Sequence, residues 1–284
     1  AMSTEGQSPL MLAAVSNNSD VVRFMLDVDG ISMNLTNQFN DNAFILAAAP
    51  GRLENMKLMI EKGFTDINHQ NDNDATALHI ACINNRIDVV KYLLTLPEID
   101  ATLPDAGGMN ALFRSFFLQH DELVNILYEY LKERNTDQSV SIAINQQTSL
   151  MHLATEMNYV PYLDLLINTW HEDVNATGSQ NEATPLQLAI EKGYLMSLDY
   201  LLGVPGRKVK QFHKNRRWNV GSVIVPLSPE VEKILKEKGQ DILDEYMNQK
   251  KQNDEELAIE KAEREKAQRE KAEKEKAEKE KAER

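Results

Sequence analysis

Cysteine, aromatic residues and long apolar runs are all scarce in this chain, and each absence narrows what the protein can be. The one cysteine, Cys82, cannot form an intrachain disulfide, so the fold does not need an oxidising compartment. No apolar run approaches the roughly eighteen residues of a membrane span. The start lacks a basic-then-apolar signal peptide. We therefore expect a cytoplasmic location and, with 6% aromatic residues, a mostly aliphatic core.

Motifs for catalysis, nucleotide binding and metal binding are missing as well. The six histidines do not have the spacing of zinc ligands, and none of the common hydrolase, phosphate-binding or dinucleotide-binding motifs occurs. Acidic residues number 44, so any pair of them is weak evidence for an acid–base site. We expect no enzyme, no catalytic residue, no cofactor and no metal site.

The formal net charge of −13 argues against nucleic acid as a partner of the whole surface, because phosphates would be repelled. One local exception is a basic patch without any acid: Arg207, Lys208, Lys210, Lys214, Arg216 and Arg217. Three interpretations remain open for it. It is a loop that happens to be positive or that packs on acidic repeats, a docking site for an acidic partner or phosphorylated lipid, or a nuclear-import or nucleic-acid contact.

What the chain does contain is a pattern that recurs six times between residues 5 and 203. At spacings of 34, 34, 34, 39 and 35 residues, each copy has an apolar residue: Leu10, Phe44, Leu78, Leu112, Met151 and Leu186. A small residue follows three places later: Ala13, Ala47, Ala81, Ser115, Ala154 and Ala189. The pattern predicts helical hairpins that stack, because one hairpin has too little apolar surface to fold alone.

Each copy also has the signals for a turn followed by a helix start. Side-chain oxygens that predict a helix N-cap belong to Ser8, Asn42, Thr76, Asn110, Ser149 and Thr184. Two places before each cap stand Gly6, Asn40, Asp74, Gly108, Gln147 and Glu182. The first four are residues that tolerate a left-handed backbone. The last two are not, which predicts altered turns before copies five and six.

The closest copies read Ser8-Pro9-Leu10, Thr76-Ala77-Leu78-His79 and Thr184-Pro185-Leu186, and the pattern resembles the ankyrin repeat. The resemblance implies an all-α, ankyrin-repeat solenoid of helix-turn-helix units with short β-hairpin-like fingers over residues 5–203. It implies that His79 and His152 hydrogen-bond neighbouring turns. Cys82, beside Ala81 on an apolar helix face, is predicted to be a buried, inert thiol.

Four segments depart from the repeat pattern. An insertion near residues 133–146 accounts for the 39-residue spacing, and residues 204–227 form a basic, extended connector. Residues 228–250 are predicted to form C-terminal capping helices. Residues 251–284 contain Glu and Lys or Arg at i,i+4 spacing without an apolar seam. They predict a long charged single helix, or a disordered tail.

The resemblance implies a scaffold that binds another protein through its fingers and the concave face of its first helices. The fingers are predicted at residues 37–41, 71–74, 105–108 and 178–181. Finger candidates for partner binding are Asn37, Asp41, Asn71, Asp72, Asp74 and Asp105. Candidates assigned to the first helices are Asn17, Asn18, Asn84, Asn85, Arg86, Phe117 and Gln119.

Asn-rich, imperfect repeats and a Glu-rich tail favour one version of this function, a secreted bacterial effector that acts on a host protein in the host cytosol. A eukaryotic adaptor is the other version. Two alternatives belong to different classes: a nucleic-acid or anionic-membrane binder through residues 207–217, or the non-catalytic part of a larger enzyme. The expected partner is a protein, without a small-molecule cofactor, and the expected state is a monomer.

Overall fold

The computed structural model describes residues 6–134, 149–176, 183–207, 214–216, 222–224 and 227–282. The chain divides into two compact units, residues 1–150 (unit 1) and 151–284 (unit 2).

Unit 1 contains four helical hairpins in a row. Their helices are α1 (Pro9–Val15), α2 (Ser19–Leu26), α3 (Ala43–Ala48), α4 (Leu53–Glu61), α5 (Ala77–Ile83), α6 (Ile87–Leu93), α7 (Ala111–Phe117) and α8 (Asp121–Arg134). Within each hairpin the first helix packs on the second, and equivalent helices of successive hairpins pack side by side. The first helices α1, α3, α5 and α7 therefore form one layer and the second helices another.

Four of the predicted helix starts are confirmed in unit 1. The side-chain oxygens of four cap residues in unit 1 accept a hydrogen bond from the third backbone N–H of the helix that follows: Ser8, Asn42, Thr76 and Asn110. The predicted left-handed turns are confirmed too, with φ of 73° at Gly6, 58° at Asn40, 52° at Asp74 and 76° at Gly108.

The core of unit 1 lies between the two helix layers. The small-residue position is closed to solvent in every hairpin, with Ala47, Ala81 and Ser115 at 0% exposure. The three phenylalanines of α7 differ in exposure: Phe113 and Phe116 are fully buried, whereas Phe117 is 48% exposed. Of these three, Phe117 is the one that a partner can reach.

Unit 2 continues the helical pattern with α9 (Leu150–Glu156), which begins at the unit boundary, and α10 (Val160–Asp164), followed by a π-helical turn at Leu165–Thr169. Next come α11 (Pro185–Lys192) and α12 (Leu195–Leu202), which pack together as a hairpin. Thr184 caps α11 as predicted, and Gly193 ends it in a left-handed conformation.

After α12, two three-residue strands pair antiparallel, β1 (Lys214–Arg216) and β2 (Ser222–Ile224). Strand β2 lies inside the stretch predicted to be extended. The remaining elements are α13 (Pro229–Lys238), which packs on α12, and α14 (Gln240–Ala282), which packs on α13 and β2. The predicted boundary between residues 250 and 251 lies inside α14, whose backbone stays helical through Ala282.

Gly239 allows α13 to approach α12 closely. A Cβ atom at this position would lie 2.8 Å from Leu202 Cδ2 and 3.1 Å from Leu235 Cδ2. Because Val231 and Leu235 of α13 are fully buried, this approach seals the apolar surface that α12 would otherwise expose.

Candidate protein-binding face

The fingers of unit 1 are built around one side chain each, at 34-residue spacing: Asn37, Asn71 and Asp105. In each finger the side-chain Oδ1 accepts hydrogen bonds from the backbone N–H groups two and four residues later, at 2.9–3.1 Å. Such Asx bonds close the turn. Asn71 and Asp105 are 8% and 7% exposed. These three candidates shape the fingers, and their Oδ1 atoms face inward.

Neighbouring fingers are joined by hydrogen bonds. The backbone N–H of Asp72 donates to Phe39 O at 3.1 Å, and that of Ala106 donates to Asn73 O at 2.8 Å, again one repeat apart. The amide of Asn71 donates to Asp41 Oδ1 at 2.8 Å. The fingers thus form one connected row along unit 1.

Acidic side chains remain at the surface of this row. Asp72 and Asp74 are exposed and Asp41 is half-buried. Asp105 differs, because Arg114 of α7 forms a salt bridge with its buried carboxylate, with Nε donating to Oδ2 at 2.9 Å.

Below the fingers, the layer of first helices presents apolar side chains to solvent. One row, at the last residue of each first helix or just beyond it, consists of Val15, Ala49, Ile83 and Phe117. Val15, Ile83 and Phe117 are 38%, 40% and 48% exposed. The other row, three residues earlier, consists of Leu12, Leu46, Ile80 and Arg114. We call these two rows the first-helix face.

The candidates assigned to the first helices, Phe117 excepted, lie in the turns that follow these helices, so their placement is wrong. Their role in partner binding stays a prediction. Helix α5 ends at Ile83, so Asn84, Asn85 and Arg86 form the turn to α6. Asn84 donates its amide to Ile80 O at 2.8 Å, and Asn85 is left-handed with φ of 52°.

The same holds in the other hairpins. Gln119 is left-handed with φ of 58°, and Asn18 caps α2 by accepting from Asp20 N at 3.0 Å. Asn17 accepts from Arg52 Nη1 at 3.2 Å. The reason is length: each first helix of unit 1 spans only six or seven residues before a turn ends it.

A residue at the start of the second helices ties successive hairpins together, a role that the sequence reasoning missed. Arg52 Nε donates to Val15 O and Arg86 Nε to Ala49 O, both at 2.9 Å, and His120 Nδ1 lies 2.9 Å from Cys82 O. All three occupy the same repeat position, 34 residues apart, and that recurrence was the available signal.

The two histidines of the repeat motif have the predicted structural role. His79 Nδ1 accepts from Thr76 N, so Nε2 carries the proton and donates to Met109 O at 3.1 Å. His152 Nε2 lies 2.9 Å from Ala183 O. Burial lowers the pKa of both rings.

The prediction for Cys82 is also confirmed. It is 0% exposed, and burial raises the pKa of its thiol to about 12. A thiol in that state is a poor nucleophile.

Several sequence candidates fall outside the description. Residues 178–181, most of the 133–146 insertion, Lys208, Lys210 and Arg217 lie outside the described residues. Lys214 and Arg216 are in strand β1. Arg207 is half-buried, and its Nη2 contacts Asp241 Oδ1 of α14 at 3.3 Å.

Within the described part of the chain, no group of three or more His, Cys, Asp or Glu side chains could hold a metal ion. No described helix is both long enough and apolar enough to cross a membrane.

Stacked helical hairpins joined by a row of fingers define a repeat scaffold of the ankyrin type. Two overlapping ranges, residues 1–71 and 45–138, match a family model that describes three copies of the ankyrin repeat. The fold resembles the crystal structure of the ankyrin repeat domain of Bcl-3, a member of the IκB protein family, with a TM-score of 0.65 and 20% identity over 82% of this chain and 99% of that one. The chain therefore contains ankyrin repeats, and its fold is an ankyrin-repeat solenoid.

Two curated relatives show how widely these repeats are used. The chain is 30% identical over 162 residues to palmitoyltransferase AKR1 of the yeast Lachancea kluyveri, and 22% identical over 172 residues to rabankyrin-5 of the mouse. These matches cover 55% and 61% of this chain but only 21% and 14% of the relatives. What is shared is the repeat region, a protein–protein interaction module that is typically non-catalytic, even where the relative's name is that of an enzyme.

Proposed function

We propose that this protein binds a segment of a partner protein on the first-helix face of unit 1, between the finger row and the turns that follow the first helices. The observation that carries the proposal is the apolar row Val15, Ala49, Ile83 and Phe117, in which Val15, Ile83 and Phe117 are exposed and Ala49 is half-buried.

A row of neighbouring apolar side chains is uncommon on a protein surface that contacts only solvent. Scattered exposed apolar residues are ordinary, but contiguous apolar patches on a folded protein mark interaction sites. Equivalent helices pack side by side, so side chains at one repeat position are neighbours. Phe117 is the largest of them and would be the principal anchor, because aromatic side chains in a patch centre contribute much of the binding energy.

Hydrogen bonds within and between the fingers order this edge of the first-helix face before a partner binds. Their turns are closed by Asx bonds, and Asp72 and Ala106 bond to the preceding finger through their backbone N–H groups. A partner therefore meets a surface that is already ordered, which lowers the entropic cost of association.

The proposal is tested by capture from a lysate of the source cells with a tagged protein. The face variant carries Ile83→Ser and Phe117→Ser. The control carries Phe24→Ser, at a side chain of α2 that is 66% exposed but lies off the face. We expect quantitative mass spectrometry to find proteins that the wild type and the control retain and the face variant loses. Equal retention by all three proteins would refute the proposal.

The other readings receive less support. Arg207 of the basic patch contacts Asp241 of α14, so one of its charges is engaged within unit 2, and this weakens a nucleic-acid or membrane role. The relatives reported above are eukaryotic, so they do not favour the secreted bacterial effector, and our proposal does not include it. A cytoplasmic location, a monomeric state and the absence of a cofactor stay predictions.

A further inference from the structure

The two edges of the first-helix face differ in charge. The finger segments 29–41, 63–75 and 95–109 together contain eight acidic residues and no lysine or arginine. On the opposite edge, the turns at residues 16–18, 51–52, 84–86 and 118–120 contain no acid and include two arginines. The face between them is almost free of charge, since Arg114 is its only ionised member and is paired with Asp105.

One finger carboxylate is neutralised within unit 1, because Arg114 forms a salt bridge with Asp105. His69 Nδ1 lies 3.2 Å from Asp66 Oδ2. In the first three hairpins the position of Arg114 is taken by Leu12, Leu46 and Ile80, which cannot neutralise an acid.

Asp41, Asp72 and Asp74 are among the finger carboxylates that have no cationic partner within the described residues. Asp41 accepts hydrogen bonds from two neutral amides, those of Asn71 at 2.8 Å and Asn37 at 3.4 Å, and Asp72 and Asp74 are exposed without an ion pair among the described residues. Asp41 and Asp72 belong to neighbouring fingers that are hydrogen-bonded to each other. Like charges on joined fingers repel one another, and a cation bound beside them relieves that repulsion.

From this we infer the chemistry of the partner, an inference that rests on the proposed function. The first-helix face binds a basic amphipathic segment, whose apolar side chains cover the row of Val15, Ile83 and Phe117 and whose Lys or Arg residues lie on the finger side. Lys and Arg suit this position because their long apolar stems pack on the face while their charged ends reach the finger carboxylates. An acidic segment would be repelled at the fingers, and an uncharged one would leave the carboxylates without a partner.

The net charge of the whole protein acts in the same direction. At −13 it attracts a basic segment from a distance and raises the rate of encounter, an effect that salt screens. Net charge alone does not determine which face the segment binds, however. The experiment therefore has to separate the attraction by net charge from the attraction by the finger carboxylates.

A display library of random 16-residue peptides is selected on the wild-type protein, and the most enriched peptide is synthesised with a fluorescent label. We expect enrichment of Lys and Arg together with large apolar residues. The affinity of the labelled peptide is then measured by fluorescence anisotropy at several salt concentrations. The proteins compared are the wild type and a finger variant with Asp41→Asn, Asp72→Asn and Asp74→Asn. These substitutions keep the side-chain size, and Asn is tolerated at the left-handed position 74.

A matched control variant carries Asp20→Asn, Asp88→Asn and Glu129→Gln, three exposed acids of the second helices α2, α6 and α8. It changes the net charge by the same amount as the finger variant. We expect the finger variant to bind roughly tenfold more weakly, with a shallower salt dependence, and the control to change the affinity less than about threefold. The face variant with Ile83→Ser and Phe117→Ser should bind at least about tenfold more weakly.

The outcomes separate this inference from the function on which it rests. Selected peptides without an excess of Lys and Arg, but still sensitive to the face variant, would overturn the inference and leave the proposed function standing. Equal loss in the finger and control variants would show an effect of net charge only and overturn the inference as well. No enrichment on the wild type, or binding indifferent to the face variant, would contradict both. If light scattering shows a dimer of the wild type but a monomer of the face variant, a second copy of this chain occupies the first-helix face, and the inference is contradicted.

Discussion

Asn71 offers the sharpest test of whether a finger candidate shapes the protein or contacts a partner. Its Oδ1 accepts from Asn73 N and from Ala75 N, both at 3.0 Å, and its Nδ2 donates to Asp41 Oδ1 at 2.8 Å. The substitution Asn71→Ala removes all three bonds without placing a larger group in the finger.

The magnitude follows from the burial of each group. Asn73 is exposed, so its N–H can turn to water, and the lost bond costs about 1 kcal/mol. Ala75 is 5% exposed, and its unsatisfied N–H costs roughly 1–2 kcal/mol. Loss of the amide donor to Asp41 adds about 0.5–1 kcal/mol. We expect Asn71→Ala to lower the free energy of unfolding by about 3 kcal/mol in total.

The measurement is urea unfolding followed by far-UV circular dichroism, together with hydrogen exchange of residues 71–75. The neighbouring Asp72→Ala is the control, because the carboxylate of Asp72 is exposed and makes no recorded hydrogen bond. It should change stability by less than about 0.5 kcal/mol. If the Asn71→Ala protein has wild-type stability and unchanged hydrogen exchange at Ala75, the structural role of Asn71 is refuted. Asn71 would then again be a candidate for direct contact with a partner.

Three further predictions concern the core. Cys82 should react with a thiol reagent only after urea unfolding, since burial raises its pKa to about 12; rapid reaction in buffer would contradict its burial. Because burial lowers the folded-state pKa of His79 and His152, their stabilising contribution should be complete above pH 6.5 and decline as the pH falls below it. Melting temperatures at pH 7.5 and 5.5 check this, and replacing both rings by Gln should flatten the change. Gly239→Ala should destabilise α13 by about 1–3 kcal/mol, because its Cβ would meet Leu202; hydrogen exchange in α13 that matches the wild type would disprove the close approach.

The repeat architecture could be predicted because its signals are local. An N-cap such as Thr76 acts on an N–H three residues away, and a left-handed residue such as Asp74 acts through its own φ angle. Both can be recognised in a window of a few residues, and the 34-residue period then places every helix of unit 1. The roles of His79 and Cys82 followed from the same period.

The binding candidates were less predictable, because exposure is not a local property. Asn71 and Asp72 are adjacent, both polar and both in a finger, yet one is 8% exposed and the other is on the surface. Phe116 and Phe117 are an adjacent pair of identical residues, of which only the second faces solvent. Residues 84–86 were assigned to a first helix, although the turn-favouring pair Asn84-Asn85 directly follows Ile83, where the helix ends.

By itself, the sequence therefore determined the repeat, its turns, its caps and the acidic composition of the fingers. The tertiary structure decided which of these residues a partner can reach. The physical reason is that caps and turns depend on hydrogen bonds within about four residues. Burial depends instead on the hairpins that stack on either side, 34 residues away in the chain. Stacking turned Asn71 and Arg86 toward their neighbours and left Ile83, Phe117 and the carboxylates of Asp72 and Asp74 facing solvent.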